Sequence, residues 1–350
     1  MKRSPLLETQ RHLFGDGLVL APAVGNEWEL PAQYQHHGAR AEYDAAHQAG
    51  RLGIIDRSWR AVLQLTGTDR QAFLQGMVSN DVAALAPGQS CRAAFLDTTG
   101  HILAELRVHA RPEALLVETD PRCLPTLAKT LDKFLIMEDV EITDVSDDWV
   151  ILSTVGTPLE VPDDMEGFVA GRDLWLPAES APAAWERLVT DGATPIGEEA
   201  AEILRIEAGA PAWGHELNAS VLLPEADLPD AVSYTKGCYV GQEIVARMRA
   251  RGHANRALRG VLFGPDAPTP HPGSTLHAPE DGPEPGREIG RITSAVASPL
   301  FGGRPLALAY VRKEYFGNNT PLDVQIAQPD GTVFSFAGTV LTRPFVPGVL

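Results

Sequence analysis

The sequence predicts an α+β protein that ends in an all-β domain. Strand-like and helical patterns are mixed from residue 41 to about residue 254. From residue 255 onward, strand-like runs follow one another and are separated by Gly, Pro and Asp. The mixed pattern is typical of α+β domains, and a succession of short strands with turn residues is typical of a small barrel or sandwich.

The elements of the mixed region follow from the spacing of apolar residues. Strand-like runs lie at Ala61–Leu65, Arg92–Leu96, Ile102–Val108, Ala114–Glu118, Val140–Thr143 and Trp149–Val155. Apolar residues at helical spacing predict helices near residues 41–48, 68–79, 124–136 and 198–208. The turn residues Asp97–Gly100 predict a hairpin between two of these strands. Residues 1–40 show no sustained pattern, so we expect an irregular N-terminal extension there.

The C-terminal region, residues 255–350, is expected to form the barrel. Its predicted strands are Leu258–Phe263, Glu288–Ser294, Leu306–Val311, Leu322–Ile326 and Thr332–Leu341. The chain is therefore expected to divide into residues 1–40, residues 41–254 and residues 255–350.

The composition argues against several classes of protein. The chain has 46 acidic and 29 basic residues and a formal net charge of −17, so its field repels nucleic-acid phosphates and general nucleic-acid binding is not expected. No apolar run approaches the roughly 18–20 residues of a membrane span, and the N-terminus lacks a signal-peptide pattern, so we expect a cytoplasmic protein without a membrane partner. The cysteines, Cys91, Cys123 and Cys238, are too widely spaced to predict a disulfide framework or a metal site. We expect Cys91 and Cys123 to be structural.

The segment KGCYVGQEIVAR, residues 236–247, carries the strongest chemical signal. A helix is expected to begin near Gly241, which places Cys238 just before a helix N-terminus and two residues from Lys236. Both the helix end and the ammonium group favour a thiolate. Cys238 is thus a candidate reactive thiol, and burial as a small apolar side chain is the alternative.

A basic run follows this segment. Arg247–Arg259 contains five arginines and no acidic residue, in a chain that is otherwise strongly acidic. Such a run favours an anionic ligand, for example a polyglutamate tail, a phosphate or a patch of RNA. The alternative is a solvated helix C-terminus, where arginines are favoured in any case.

Three other residues are candidates for ligand contact. The carboxylate of Glu207 suits the N–H groups of a polar heterocycle, and Arg205 lies two positions away on another side of the predicted helix. The alternative for this pair is a surface ion pair. Trp59 precedes the first strand of the mixed region and would stack on an aromatic ligand, with a place in the core as the alternative.

Lys236–Glu243 matches K-G-C-Y-x-G-Q-E without a gap, and in this it resembles the YgfZ family of folate-binding regulators. Residues 65–82, 205–211 and 290–311 resemble the wider glycine-cleavage T-protein superfamily, so the likeness extends from about Glu42 to about Pro347. The resemblance implies a ring of two α+β domains, intertwined over residues 41–254, with a C-terminal β-barrel. It also implies a central channel that holds tetrahydrofolate.

The resemblance further implies the contents of the site and its role. Tetrahydrofolate or a one-carbon derivative is the expected cofactor, and no metal is expected. Its implied contacts, besides the candidates already given, are Asn80, Lys236, Tyr239, Gln242, Glu243 and Arg247. The implied role is support of iron–sulfur cluster assembly or repair in client enzymes, including enzymes that modify tRNA, so an iron–sulfur client protein is the expected partner.

Two alternatives to this function stay open. One is the T-protein reaction itself, in which an aminomethyl group passes its carbon to tetrahydrofolate and ammonia leaves. Members with that activity carry an Asp-Asp pair in a strand after a glycine turn, and the matching positions here are Ala104 and Glu105. Glu105 is the candidate catalytic carboxylate, although its longer side chain displaces the carboxyl group. The other alternative is a non-catalytic adaptor that contacts an iron–sulfur client without folate.

Overall fold

A computed structural model of the chain describes residues 1–34, 38–48, 50–157, 165–252, 254–279, 284–327, 333–343 and 345. The helices are α1 (Leu7–Phe14), α2 (Ala39–Ala46), α3 (Arg70–Met77), α4 (Leu124–Phe134), α5 (Ala181–Thr190), α6 (Glu198–Glu207), α7 (Leu223–Ala226) and α8 (Gln242–Ala250). The strands are β1 (Lys2–Arg3), β2 (Val19–Ala23), β3 (Trp28–Gln33), β4 (Leu52–Asp56), β5 (Ala61–Thr66), β6 (Ser90–Leu96), β7 (Ile102–Ala110), β8 (Leu115–Thr119), β9 (Glu141–Asp144), β10 (Trp149–Gly156), β11 (Phe168–Ala170), β12 (Asp173–Pro177), β13 (Thr194–Pro195), β14 (Arg256–Phe263), β15 (Thr275–His277), β16 (Glu288–Ser298), β17 (Arg304–Arg312), β18 (Pro321–Ala327) and β19 (Val333–Leu341).

The chain divides into two compact units. The first unit consists of Met1–Ala201 together with Pro229–Gln242, and the second consists of Glu202–Leu228 together with Glu243–Leu350. The boundary interrupts the KGCYVGQE motif after Gln242, so Lys236 and Cys238 belong to the first unit and Glu243 belongs to the second.

The first unit is built on three sheets. A small sheet has the order β1-β3-β2, and two five-stranded sheets have the orders β6-β7-β8-β5-β9 and β11-β12-β10-β4-β13. Val62 and Leu116 of one five-stranded sheet share a buried apolar cluster with Ile151 and Trp175 of the other. The two sheets therefore pack against each other through inward-facing apolar side chains.

Residues 1–40 are not irregular, which corrects the expectation from the sequence. They contain β1, α1, β2 and β3, and both Leu6 and Tyr34 are almost fully buried in the core of the first unit. The strands were not evident in the sequence because Pro22 and Pro31 interrupt them, and proline cannot donate a ladder hydrogen bond. The pair His36-His37 in this region lies outside the described residues.

The second unit contains a closed barrel with the order β14-β17-β16-β15-β18-β19. Its interior is filled by apolar side chains that alternate along the strands, among them Val261, Phe263, Ile292 and Val324. The predicted α+β class with a C-terminal β-barrel is confirmed.

Within the part of the chain that the structure describes, no helix combines the length and the apolar character that crossing a bilayer requires.

Candidate functional site

Backbone hydrogen bonds attach the segment Pro229–Gln242 to the β6 edge of its sheet. The N–H of Ser79 donates to the carbonyl of Ala94 in β6 at 3.0 Å, so the chain after α3 extends the sheet. The N–H of Ser233 donates in turn to the carbonyl of Ser79 at 3.0 Å, and the Ser79 hydroxyl donates to the carbonyl of Ala231 at 2.6 Å. The first half of the motif is therefore held on a rigid scaffold.

Lys236 fastens this segment to the end of α3. Its ammonium group donates to the carbonyls of Gln75 at 2.5 Å, Val78 at 2.6 Å and Asn80 at 2.9 Å. Carbonyls at the C-terminal end of a helix lack intrahelical partners and carry partial negative charge, so an ammonium group is favoured there. All three donors of Lys236 are engaged in this way. Burial lowers its pKa to about 8, which leaves it charged at neutral pH.

Asn80 also joins chain segments. Its side-chain amide donates to the carbonyl of Arg92 at 2.7 Å and to the carbonyl of Asp230 at 2.8 Å. Its side-chain oxygen accepts from the N–H of Asp81 at 2.9 Å. Of the residues expected to contact folate, Asn80 and Lys236 are thus brought together, but their polar groups are engaged with backbone.

Gly241 brings the other end of the segment close to the turn between β6 and β7. Its φ is +82°, and a Cβ at this position would lie 2.5 Å from the carbonyl oxygen of Asp97. A side chain therefore does not fit there. Gly237, in contrast, faces open space. Cys238 lies between the two fixed points Lys236 and Gly241, four residues before the first residue of α8.

The three thiols have different surroundings. Cys238 is exposed, so it is not packed as a small apolar side chain. Cys91 is half-buried, and burial raises the pKa of its thiol to about 11. Cys123 is buried, and burial raises its pKa further. Cys238 is therefore the accessible thiol of the three.

Tyr239 and Gln242 complete the part of the motif in the first unit. Tyr239 is largely buried, and the ammonium nitrogen of Lys236 lies 5.1 Å from the centre of its ring. Burial, with a contribution from Tyr234, raises the pKa of Tyr239 to about 12, so its hydroxyl remains protonated. Gln242 opens α8, and its N–H donates to the carbonyl of Tyr239 at 3.2 Å.

Glu105 lies in β7 and is ion-paired. Its carboxylate accepts from Nε of Arg92 at 2.6 Å, and the side chain is 24% exposed. Arg92 also lies 3.4 Å from the carboxylate of Asp230. Ala104, the other position of the expected acidic pair, is buried in the core. The expected acidic pair is thus represented by one carboxylate, and that carboxylate is already engaged with a guanidinium.

Trp59 lies at the same end of the sheet as Glu105. In the strand register, Thr119 of β8 pairs with Ala61 of β5 on one side and with Leu106 of β7 on the other. The residues that precede Ala61 and Leu106 therefore lie at the same end of the sheet. Trp59 is half-buried, and the guanidinium groups of Arg57 and Arg60 each lie 5.9 Å from its ring centre. The strand register relates this indole to Glu105, and no hydrogen bond joins the two side chains among the described residues.

A buried ionic cluster supports this end of the first unit, and the sequence did not reveal it. Arg60 pairs with Glu118 at 2.6 Å and with Asp173 at 3.1 Å, and Arg107 pairs with Asp173 at 2.8 Å. Burial raises the pKa of Glu118, but Arg60, His109 and Arg107 outweigh burial and lower it to about 2. One feature of the sequence could have indicated this cluster. Glu105, Arg107 and His109 alternate along β7, so their ionisable side chains share the face of the strand that lies between the two sheets.

Arg205 is buried in the second unit and is not part of a surface ion pair with Glu207. Its guanidinium donates to Glu202, to the carbonyl of Ala210 at 2.7 Å, to Glu216 at 2.8 Å and to Ser294 at 2.9 Å. These partners use the whole donor set of the guanidinium. Arg205 thus ties α6 to the loop after it and to β16 of the barrel.

Glu207 is fully buried. Its Oε1 accepts from the hydroxyl of Ser298 and from the N–H of Leu300 at 3.1 Å. The carboxylate therefore fixes the turn that follows β16. The alternative prediction, an ion pair between Arg205 and Glu207 at the protein surface, is therefore wrong for both residues.

The basic run is less continuous than the sequence indicated. Arg256 pairs with Glu225 at 2.9 Å and Arg259 pairs with Asp227 at 2.6 Å, so these two charges are balanced within the barrel unit. Arg247 forms an exposed ion pair with Glu243 one turn earlier in α8. The sequence of the run did not indicate these ion pairs, because their acidic partners lie about thirty residues earlier in the chain.

The described residues contain no group of three or more His, Cys, Asp or Glu side chains arranged to hold a metal ion. In the first unit, the predicted residues Lys236, Asn80 and Tyr239 lie together, with Cys238 exposed beside them. Arg205 and Glu207 belong to the second unit, as do Glu243 and Arg247.

Comparisons with known proteins agree with this architecture. The GCVT N-terminal domain matches residues 21–158, and the glycine cleavage T-protein C-terminal barrel domain matches residues 256–346. The aminomethyltransferase of Rubrobacter xylanophilus is 30% identical over 348 residues, which cover 91% of this chain and 89% of that protein. The aminomethyltransferase of Synechococcus sp. (strain RCC307) is 27% identical, with 99% of each chain covered.

A solved structure supports the fold independently. The crystal structure of glycine cleavage system aminomethyltransferase T from Bartonella henselae has a TM-score of 0.83 to this chain at 22% identity. The match covers 99% of this chain and 98% of that one. The chain belongs to the glycine cleavage T-protein family.

Proposed function

We propose that this protein binds tetrahydrofolate or one of its one-carbon derivatives, with Trp59 against the pterin ring. The observation that carries the proposal is the half-buried indole of Trp59, which precedes β5 and has the guanidinium groups of Arg57 and Arg60 each 5.9 Å from its ring centre. Aromatic and amphipathic side chains are typical of sites for flat heterocycles.

Titration calorimetry with 5-formyltetrahydrofolate tests this proposal. We expect the wild-type chain to bind and Trp59→Ala to bind at least about tenfold more weakly, because stacking of a flat ring on an aromatic side chain contributes about 1–3 kcal/mol. Trp149→Ala, which removes another half-buried indole from the first unit, is the matched control and should bind like the wild type. A wild-type chain that gives neither heat nor thermal shift with the folate would refute the proposal.

Two uses of the bound folate are candidates. The first is aminomethyl transfer to tetrahydrofolate, which the names of the relatives favour. In that reaction Glu105 would have to polarise the reacting nitrogen, since Ala104 offers no carboxylate. Reduced folate would supply the nitrogen atoms that take up the one-carbon group, and the chain would supply binding, orientation and this carboxylate.

The second candidate is a YgfZ-type function, in which the folate-bound protein supports iron–sulfur clusters in client enzymes, including enzymes that modify tRNA. Two observations favour it: the exposed thiol of Cys238 within the motif, and the ion pair that engages Glu105 with Arg92. On this candidate, Cys238→Ser should keep folate binding but lose support of the client, whereas Cys91→Ser should keep both. Of the two candidate functions, we favour this second one, because it agrees better with the exposed thiol of Cys238 and with the ion pair of Glu105.

Ammonia release from an aminomethylated lipoyl carrier separates the two candidates. We expect less than about one hundredth of the rate of a relative with aminomethyltransferase activity, because loss of a positioned acid–base group typically costs 10²–10⁴-fold. Asp132→Asn, at an exposed acid on α4, is the control for Glu105→Gln. Turnover that matches the relative, collapses in Glu105→Gln and survives in Asp132→Asn would establish aminomethyl transfer instead.

A further inference from the structure

The loop of residues 56–60, here called the Trp59 loop, is anchored on both sides of its indole. Arg57 donates through its guanidinium to Glu198 at 2.9 Å, and its N–H donates to a carbonyl of β10 at 2.8 Å. Arg60 donates to Glu118 at 2.6 Å within the buried ionic cluster. The loop therefore presents the indole from a fixed backbone.

The first residue of this loop, Asp56, uses its two carboxylate oxygens differently. Oδ1 accepts from the N–H of Ser58 at 3.0 Å and from its hydroxyl at 2.5 Å, which closes a tight turn within the loop. Oδ2 accepts from the hydroxyl of Ser4 at 2.5 Å and from the side-chain amide of Gln10 at 2.9 Å. Asp56 is 3% exposed, so one buried carboxylate joins the loop to the N-terminal segment.

A second turn in the same unit shows what the N-terminal contacts add. Asp144 and Ser146 repeat the Asp-x-Ser pattern, with the N–H at 3.0 Å and the hydroxyl at 2.5 Å from Oδ1. Among the described residues, the carboxylate of Asp144 accepts from Ser146 alone, and the Ser146 hydroxyl accepts from the N–H of Val62 at 3.0 Å. The turn at Asp56 thus does not need Ser4 and Gln10 in order to form. What these two residues supply is a fixed orientation of the turn relative to the core.

The N-terminal segment is itself well anchored. β1 pairs with β3, the N–H of Leu6 donates to the hydroxyl of Ser4 at 3.1 Å, and both Leu6 and Gln10 are completely buried. Gln10 also donates to the hydroxyl of Tyr34 at 3.0 Å. Ser4 and Gln10 are thus rigid donors, and charge-assisted bonds from rigid donors hold a carboxylate in one position.

We propose that Ser4 and Gln10 are positioning residues for the ligand-binding indole, acting through Asp56 on the Trp59 loop. This inference rests on the proposed function for its consequence, which is that the N-terminal segment sets the affinity for reduced folate. Without these donors, Oδ2 of Asp56 is left buried without a partner and the loop samples other positions. A ligand that stacks on the indole must then order the loop as it binds, which weakens affinity.

The experiment uses the full chain labelled with 5-fluorotryptophan, in which Trp59→Phe identifies the Trp59 fluorine resonance. The variants are Ser4→Ala and Gln10→Leu, with Ser4→Thr as the conservative replacement that keeps the hydroxyl. Ser220→Ala, which removes the equivalent hydroxyl bond to Asn218 in an exposed turn of the second unit, is the control. Each variant is also titrated with 5-formyltetrahydrofolate.

In Ser4→Ala and Gln10→Leu we expect the Trp59 resonance to shift or broaden and the folate affinity to fall about fivefold. Ser4→Thr and Ser220→Ala should keep both the resonance and the affinity of the wild type. A Trp59 resonance that is unchanged in Ser4→Ala and Gln10→Leu overturns the inference, as does unchanged affinity in a wild-type background that binds folate. If the wild type binds no folate, the proposed function fails, while the fluorine spectra still decide whether these residues position the indole.

Discussion

Lys236→Met is expected to lower the free energy of unfolding of the first unit by about 3 kcal/mol. Methionine keeps an unbranched stem beside Tyr239 but removes the ammonium group that serves three carbonyls. Hydrogen bonds to a charged group contribute about 1.5–3 kcal/mol each, and part of that is offset because a buried charge no longer has to be desolvated. The midpoint of urea unfolding measures the loss.

Lys133→Met is the control for this prediction. Lys133 lies in the last turn of α4 with an exposed side chain, so removal of its charge should change the unfolding free energy by less than about 0.5 kcal/mol. Equal urea midpoints for Lys236→Met and Lys133→Met would mean that the three carbonyls do not depend on Lys236.

Gly241→Ala is expected to cost about 3 kcal/mol and to detach the Cys238 segment from the β6–β7 turn. The positive φ of +82° alone disfavours alanine by about 1–2 kcal/mol. The new Cβ would also lie 2.5 Å from a backbone oxygen, which cannot move away as a flexible side chain could. The backbone must therefore shift, and thermal unfolding together with the rate of thiol labelling at Cys238 reports the change.

Gly237→Ala is the matched variant, at the residue that directly precedes Cys238 in the same segment. A Cβ at Gly237 meets nothing within 4 Å, so we expect less than about 0.5 kcal/mol and an unchanged labelling rate. If both glycines tolerate alanine equally, the close approach of the segment to Asp97 is not a constraint in solution.

The sequence predicted those parts of the fold whose signal is local. Leu258–Phe263 and Leu306–Val311 lie within β14 and β17, because each is a short, largely apolar run with Gly and Pro beside it, as is typical of a buried strand. The start of α8 near Gly241 was also foreseeable from the spacing of Ile244 and Val245. Local periodicity was sufficient in each of these cases.

The contacts that define the candidate site were not foreseeable, since their partners are far apart in the chain. The acceptors of Lys236 lie 156–161 residues earlier, and Ser298 lies 91 residues after Glu207. Spacing alone assigned Lys236 an electrostatic effect on Cys238, whereas its hydrogen bonds go to the end of α3. Tertiary partners, rather than local pattern, decide whether such a polar residue meets a ligand or the chain itself.

The same distinction explains the N-terminal region. The contact of Ser4 with Asp56 spans 52 residues, so no pattern within residues 1–40 indicates it. The exposure of Cys238, in contrast, agrees with the expectation of an accessible thiol. The fold class followed from local pattern, while the hydrogen-bond partners of the candidate residues required the structure.

A crystal structure of the chain with 5-formyltetrahydrofolate tests the central claim most directly. The account predicts a pterin ring stacked on the indole of Trp59, with Lys236 still bonded to the carbonyls at the end of α3. A folate molecule that lies away from Trp59, or a site that stays empty at saturating folate, would contradict it.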